Sequence, residues 1–313
     1  MIPNRKAHYS VLVPAYNEEE NILLVAQKFA EVFKQTSDQG EVIFIDDGST
    51  DRTRGEAEKA KREFPFVKVV SYTRNQGKTS ALMSGFKIAS GDIYVIFDAD
   101  LQFDPWDVPR LVAEIDKGAD LATGWKQGKY QKRFVSSVYN WLCRKLFRLE
   151  VHDLNSIKAF RKEIISNITL REDWHRYLVV LAAQQGCRVS EIKVTLHPRL
   201  HGTSKYSGFG RVITGFLDLL SVKFQTSFMK KPMLLFGTLG LILTLLGIIT
   251  GIVALILRFG FDLGFRPLLY LVMLLVISGI LFFILGFLAE AIANVSEKVD
   301  DLKQDIQSRS DSE

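Results

Sequence analysis

Val95–Pro105 reads VIFDADLQFDP. An apolar run, Ile93–Phe97, stops abruptly at Asp98-Ala99-Asp100. Such a run predicts a buried strand, and acids at its carboxyl end fall on the sheet edge where open α/β folds bind ligands. If the strand continues through the motif, alternate side chains share a side, and Asp98 and Asp100 converge past the small Ala99. Two carboxylates held together repel until a cation or a proton relieves them. Hard oxygen ligands suit Mg²⁺ or Mn²⁺, ions that keep waters and bridge to substrate phosphates. Taken alone, the stretch also reads as a loop whose acids cap a helix starting near Trp106.

The preceding residues weigh against that plainer reading. Tyr9–Pro14, Glu41–Asp46 and Val67–Tyr72 read as three further strands, with helical spacing between them and over Lys78–Ala89. Asn17 reads as a helix cap with acids following it. Alternating strands and helices imply right-handed crossovers and a mainly parallel sheet, an α/β fold. The loops after Pro14, Asp46 and Phe97 then gather on one edge and bring Tyr16, Glu18, Asp46, Asp47, Asp98 and Asp100 together. That set suits a polar, metal-bound ligand: carboxylates accept hydrogen bonds from a base or ribose, while the metal neutralises a diphosphate. Gln76-Gly77-Lys78-Thr79 looks like the end of a phosphate-binding P-loop, but Tyr72 stands where that loop needs glycine. No G-x-G-x-x-G follows the first strand, which argues against a dinucleotide enzyme.

The 313-residue chain has a formal charge of only +5, unevenly spread. Met233–Leu257 runs 25 residues without a charge, and Pro267–Ala289 runs 23. About 20 apolar residues cross a bilayer core, so both read as transmembrane helices, joined by Arg258–Arg266 into a hairpin. Lys223, Lys230 and Lys231 before the first span place that side in the cytoplasm. The N-terminal domain and the charged tail, Ser296–Glu313, are then both cytoplasmic, and the tail reads as a helical extension fraying into disorder. The start of the chain is polar and does not read as a secretory signal. Cys143 and Cys187 have no metal-type spacing and read as reduced thiols. Residues 132–148 alternate basic and aromatic positions as an interface helix would, and Phe209–Phe228 is a second candidate. Gly237, Gly240, Gly247, Gly251, Gly279 and Gly286 permit close helix contact within the hairpin or between chains, so a homo-oligomer through these helices is one expectation.

VPAYNEEENI, IDDGSTDRT, RNQGKTSALMSGFKIASGD and FDADLQFDP resemble the successive blocks of family-2 glycosyltransferases with the GT-A fold. The likeness covers about Tyr9–Tyr206. With Trp174–Tyr177, His201–Tyr206 and the two spans, the chain resembles the polyprenyl-phosphate branch, similar to dolichol-phosphate mannose synthase and bacterial undecaprenyl-phosphate sugar transferases. The resemblance implies a nucleotide-diphospho-sugar donor, UDP- or GDP-linked, and a polyprenyl (undecaprenyl or dolichyl) phosphate acceptor, with no nucleic-acid partner. It implies that Pro14, Tyr16 and Glu18 line the nucleotide pocket, that Asp47 contacts the base beside Asp46, and that Asp98 lies near the sugar-diphosphate. It assigns the metal to Asp100, with Asp98 and Gln102 facing it. It gives the acceptor phosphate to Arg133 and Ser137, and gives Arg199 and Lys205 to a basic loop over the phosphates. Lys126 stands where relatives carry arginine, keeping the charge without the planar fork. Ile157-Lys158 follow Ser156 where relatives have glycine or phenylalanine. The implied organisation is a cytoplasmic catalytic domain over 1–206, an interface segment over 207–231, two spans within 232–294 and a tail over 295–313.

The implied chemistry is one-step inversion. A lipid phosphate is already anionic, so the difficulty is to bring it to an anionic donor. Arg133, Arg199 and Lys205 answer that by charge-assisted hydrogen bonds, and the metal by stabilising the leaving diphosphate. Asp173 is a further candidate base. Two other readings are a processive polysaccharide synthase, which usually carries a Q-x-x-R-W block and more spans, and a membrane-anchored scaffold that binds nucleotide-sugar without catalysis.

Overall fold

The computed structural model describes residues 7–36, 39–128, 133–166, 168, 171–200, 209–225, 231–264 and 266–310. The chain divides into two compact units, Met1–Arg211 and Val212–Glu313.

In the first unit, apolar runs flanked by polar turns make the strands β1 (Tyr9–Ala15), β2 (Gly40–Asp46), β3 (Val67–Ser71), β4 (Ile93–Ile96), β5 (Leu121–Gln127), β6 (Lys158–Arg161) and β7 (Val189–Thr195). The helices between them are α1 (Ile22–Thr36), α2 (Thr53–Glu63), α3 (Lys78–Ile88), α4 (Asp107–Asp116), α5 (Arg133–Phe147), α6 (Glu163–Ser166) and α7 (Leu178–Gln184), with a 3₁₀ turn over Trp174–Tyr177. The sheet order is β3-β2-β1-β4-β6-β5-β7. It is mainly parallel, but β6 runs antiparallel to both β4 and β5. One face of the sheet buries Val11, Val13, Val42, Phe44 and Val95 with Phe29 of α1, Ala57 of α2 and Leu111 of α4. The other face carries α3: Gly85 lies so close that a Cβ there would come within 2.5 Å of Leu12 and Ile45 side chains.

At the amino edge of the sheet, Glu41 is 5% exposed. It accepts hydrogen bonds from Ser10 Oγ and Ser90 N, both at 2.6 Å, and pairs with Lys68 at 2.6 Å. One carboxylate thus joins β1, β2, β3 and the turn before β4. The carboxyl edge carries the acidic loops.

Two expectations are corrected here. β4 ends at Ile96, so Asp98 and Asp100 do not alternate along a strand. They lie in a turn in which Leu101 takes φ 52°. Asn17 does not cap a helix: it has φ 52°, and its Oδ1 accepts Thr50 N at 2.8 Å, tying the first acidic loop to the second.

The second unit holds all but the first turn of α8 (Phe209–Lys223), followed by α9 (Pro232–Gly260) and α10 (Arg266–Ser310). α9 and α10 are long and apolar enough to cross a membrane, and only 17% and 6% of their most apolar windows is buried. A core helix of a water-soluble protein would be mostly covered. A Cβ on Gly240 would lie 2.6 Å from Gly279 O, and one on Gly286 would lie 3.0 Å from Gly237 N. Those four glycines serve backbone approach within the hairpin. Met233 N, near the start of α9, donates to Glu290 Oε2 of α10 at 3.1 Å. The helix does not stop at the membrane-length segment but runs on through the charged residues to Ser310, where the composition predicts fraying.

Candidate active site

The carboxyl edge opens into a cleft of about 150 Å³. Pro14, Tyr16, Glu18, Asp47, Asp98, Asp100 and Arg199 all line it, joined by Asn75, Gly77 and Lys78. Loops that are distant in sequence meet because side chains bind neighbouring backbones. Glu18 N donates to Thr53 Oγ1 at 2.7 Å, and Asn21 Nδ2 donates to Glu18 Oε2 at 2.7 Å. Gly48, at φ 70°, lies against the backbone of Arg74 and Asn75, where a side chain would overlap it. Asp47 accepts Gln76 N at 2.8 Å and Gly77 N at 2.9 Å. Burial nevertheless pushes its carboxyl above the ordinary range.

Asp46 does not join the cleft. It is 2% exposed and accepts Ser49 N at 3.0 Å, so its carboxylate shapes the turn that presents Asp47.

The two acids of the opening motif are held differently. Burial alone would raise the Asp98 carboxyl, but Lys78 Nζ bonds to Asp98 Oδ1 and keeps it below the ordinary range. Asp100 is raised to about 6 by burial and by the neighbouring Asp98 charge. Arg199 Nη2 pairs with Asp100 Oδ2 at 3.0 Å. Each acid therefore has its own cation.

Gln102 stands beside the cleft rather than in it. Its N donates to Asp100 Oδ1 at 3.2 Å, its O accepts His197 N at 2.8 Å, and its Oε1 accepts Arg199 Nε at 3.4 Å. The side chain expected to face a metal instead latches the segment after β7 to the acidic turn and aims Arg199.

Of the expected acceptor residues, Lys126 and Ser137 do not line the cleft. Lys126 Nζ donates to Asn155 O at 2.9 Å and pairs at 3.3 Å with Asp153, which is buried. Ser137 is exposed on α5. Arg133 begins α5, but its side chain lies outside the described residues, as does all of Lys205. Asp173 is exposed, takes φ 60° and pairs with Arg176 at 3.7 Å.

Two further cations belong to the site and carry a weaker signal in the sequence: Lys78 reads as part of an incomplete P-loop, and Lys158 opens a four-residue strand. The signal for Lys78 was its place: a lysine opening a helix opposes the helix dipole, which suggests that it is kept there for another partner.

The donor set fits a divalent cation of the hard kind. Mg²⁺ and its analogues take one or two carboxylates and complete their shell with water and substrate phosphates. The two aspartates offer that much and no more, since no group of three or more His, Cys, Asp or Glu side chains suited to a metal occurs among the described residues. A bound ion would neutralise a diphosphate and stabilise it as a leaving group.

An open, mainly parallel sheet with an acidic cleft at its carboxyl edge is the arrangement of the GT-A fold. Residues 10–165 match the family model described as Glycosyl transferase family 2. A dodecaprenyl-phosphate galacturonate synthase of Rhizobium johnstonii is 34% identical over 95% of this chain and 91% of its own length. An undecaprenyl-phosphate 4-deoxy-4-formamido-L-arabinose transferase of Pseudomonas fluorescens is 30% identical over 82% of this chain and 75% of its own. Among solved structures, glucosyl-3-phosphoglycerate synthase from Mycobacterium tuberculosis, in complex with Mn²⁺, UDP and phosphoglyceric acid, superposes with a TM-score of 0.56. At 20% identity over 70% of this chain and 78% of that one, it shares the fold. The chain belongs to glycosyl transferase family 2, and it is a glycosyltransferase.

Proposed function

We propose that this chain moves a single sugar from a UDP- or GDP-linked donor to a polyprenyl phosphate at the cytoplasmic face of a membrane, with Mg²⁺ or Mn²⁺ bound. The observation that carries this reading is the pairing of both cleft acids with cations, Lys78 with Asp98 and Arg199 with Asp100. A donor diphosphate entering with its cation supplies the opposite charges to each pair: phosphate oxygens for Lys78 and Arg199, positive charge for the acids. Asp47 and Tyr16 mark the nucleotide end, and Asp98 the sugar end. The acceptor phosphate is anionic, so its attack on the anomeric carbon needs no general base, and attack opposite the leaving group inverts that carbon. Arg133, Ser137, Lys126 and Lys205 remain the proposed acceptor contacts. The relatives named for dodecaprenyl- and undecaprenyl-phosphate and the two membrane-length helices support a lipid acceptor. On this reading, 1–206 is the catalytic domain, 207–231 lies at the interface and 295–313 returns to the cytoplasm.

The test is transfer from a panel of radiolabelled UDP- and GDP-sugars to one short polyprenyl phosphate, using the full chain in detergent. A lipid-linked sugar is the expected product. Asp100→Asn should lower turnover by roughly 10²–10³-fold, the usual cost of removing one transition-state electrostatic contact, with the melting temperature unchanged. Binding of nucleotide-sugar without lipid product across the panel would favour the non-catalytic scaffold.

A further inference from the structure

Behind Asp98 lies a second, smaller pocket of about 20 Å³, sharing Lys78 and Asp98 with the cleft and lined by Ser156, Lys158 and His175. It sits at the sugar end, away from Asp47 and Tyr16. Three lysines and two aspartates act on one another here: Lys78, Lys126 and Lys158 with Asp98 and Asp153. Lys78 contacts Asp98, and Lys126 pairs with Asp153 at 3.3 Å. Lys158 is 3% exposed, and among the described residues no carboxylate lies within 4.0 Å of its ammonium. Ser156 is 7% exposed, and among the described residues its Oγ has no hydrogen-bond partner. His175 adds no charge: burial pushes its pKa well below the ordinary value, and its Nδ1 is taken by Thr79 Oγ1 at 2.9 Å.

A buried cation with no carboxylate within 4.0 Å among the described residues, and a buried hydroxyl with no hydrogen-bond partner among them, are costly unless a ligand satisfies them. Their surplus is one positive charge, which calls for one anionic group. Space for a single water needs roughly 10–15 Å³, so a phosphate is too large, whereas one carboxylate edge fits. We infer that Lys158 and Ser156 form a specificity pocket for a carboxylate on the donor sugar, so that the preferred donors are nucleotide-linked uronic acids. The inference rests on the reading of the cleft as a donor site. A neutral hexose gives Lys158 and Ser156 no anionic partner in this pocket, and sites built to bind a polar group reject analogues that lack it.

The experiment compares kcat/KM within matched pairs, UDP-galacturonate against UDP-galactose, UDP-glucuronate against UDP-glucose, and GDP-mannuronate against GDP-mannose. The uronate of at least one pair should be favoured by about 100-fold or more. Lys158→Met, which keeps the length and removes the charge, should bring that ratio within about tenfold, with the affinity for the free nucleoside diphosphate unchanged. Ser156→Ala should lower the ratio several-fold and is the readout if the lysine variant does not fold. Hexoses transferred as well as uronates by the unaltered protein, or a Lys158→Met variant that slows both members equally, would overturn the pocket and leave the donor cleft standing. Failure to bind any nucleoside diphosphate would overturn the cleft reading and the pocket with it.

Discussion

A histidine that cannot take a proton makes the folded protein sensitive to acid. His175 is 6% exposed, and Thr79, Lys78, Lys158 and Arg176 face it. Burial lowers its pKa, and the three cations lower it further. Above about pH 6.5 the imidazole is neutral in both states and has no effect on stability. Below that the unfolded chain binds a proton that the folded one refuses, so stability falls by up to about 1.4 kcal/mol per pH unit. His175→Gln should therefore lose less melting temperature than the parent between pH 7.0 and 5.5. Equal losses would mean that the ring is protonated in place. The acids of the cleft were legible because they break apolar runs abruptly. Lys158 was not, since a lysine on a four-residue strand reads as surface until the sheet buries it.

At the level of elements, β1 to β4 lie within about a residue or two of their sequence expectations, because each is an apolar run with a polar stop. β5, β6 and β7 announce themselves poorly: Lys158–Arg161 has charge at both ends, and Val189–Thr195 is half-buried. The antiparallel β6 is therefore invisible to a reading built on strand–helix alternation, and it is the strand that carries the small pocket. Glu41 shows how the other edge is secured. Burial alone would raise its pKa, but Lys68, Ser10 and Ser90 together hold it below the ordinary carboxylate value. Its stabilisation is thus complete above about pH 4.5 and is lost as pH falls through the lower folded value. Glu41→Gln should cost about 1–3 kcal/mol at pH 7, read as a lower melting temperature, and the gap should shrink toward pH 3. A constant gap would assign the loss to packing instead.

At the scale of the molecule, the orientation of the hairpin is open to a direct chemical test. Cys143 is buried with its thiol pushed up to about 12, and the thiol of Cys187 is also raised by burial. Both are poor nucleophiles at neutral pH, and replacing them with alanine gives a clean background. A cysteine at Leu263, between α9 and α10, should react with an impermeant maleimide added to intact cells, and one at Ser308 only after lysis. The opposite pattern would reverse the proposed orientation.

The latch from Gln102 to Arg199 has a kinetic consequence. While Arg199 is held against Asp100, its guanidinium is not available to an incoming lipid phosphate. The donor, arriving with its cation, is the ligand equipped to exchange that pair for another. Substrates should therefore add in a fixed sequence, nucleotide-sugar first. Product inhibition reports it: the nucleoside diphosphate should compete with the donor and not with the lipid. Random addition would show that the arginine lets go of its acid unprompted. That order would let the transferase select its moment as well as its substrate, admitting the acceptor only once the sugar is in place.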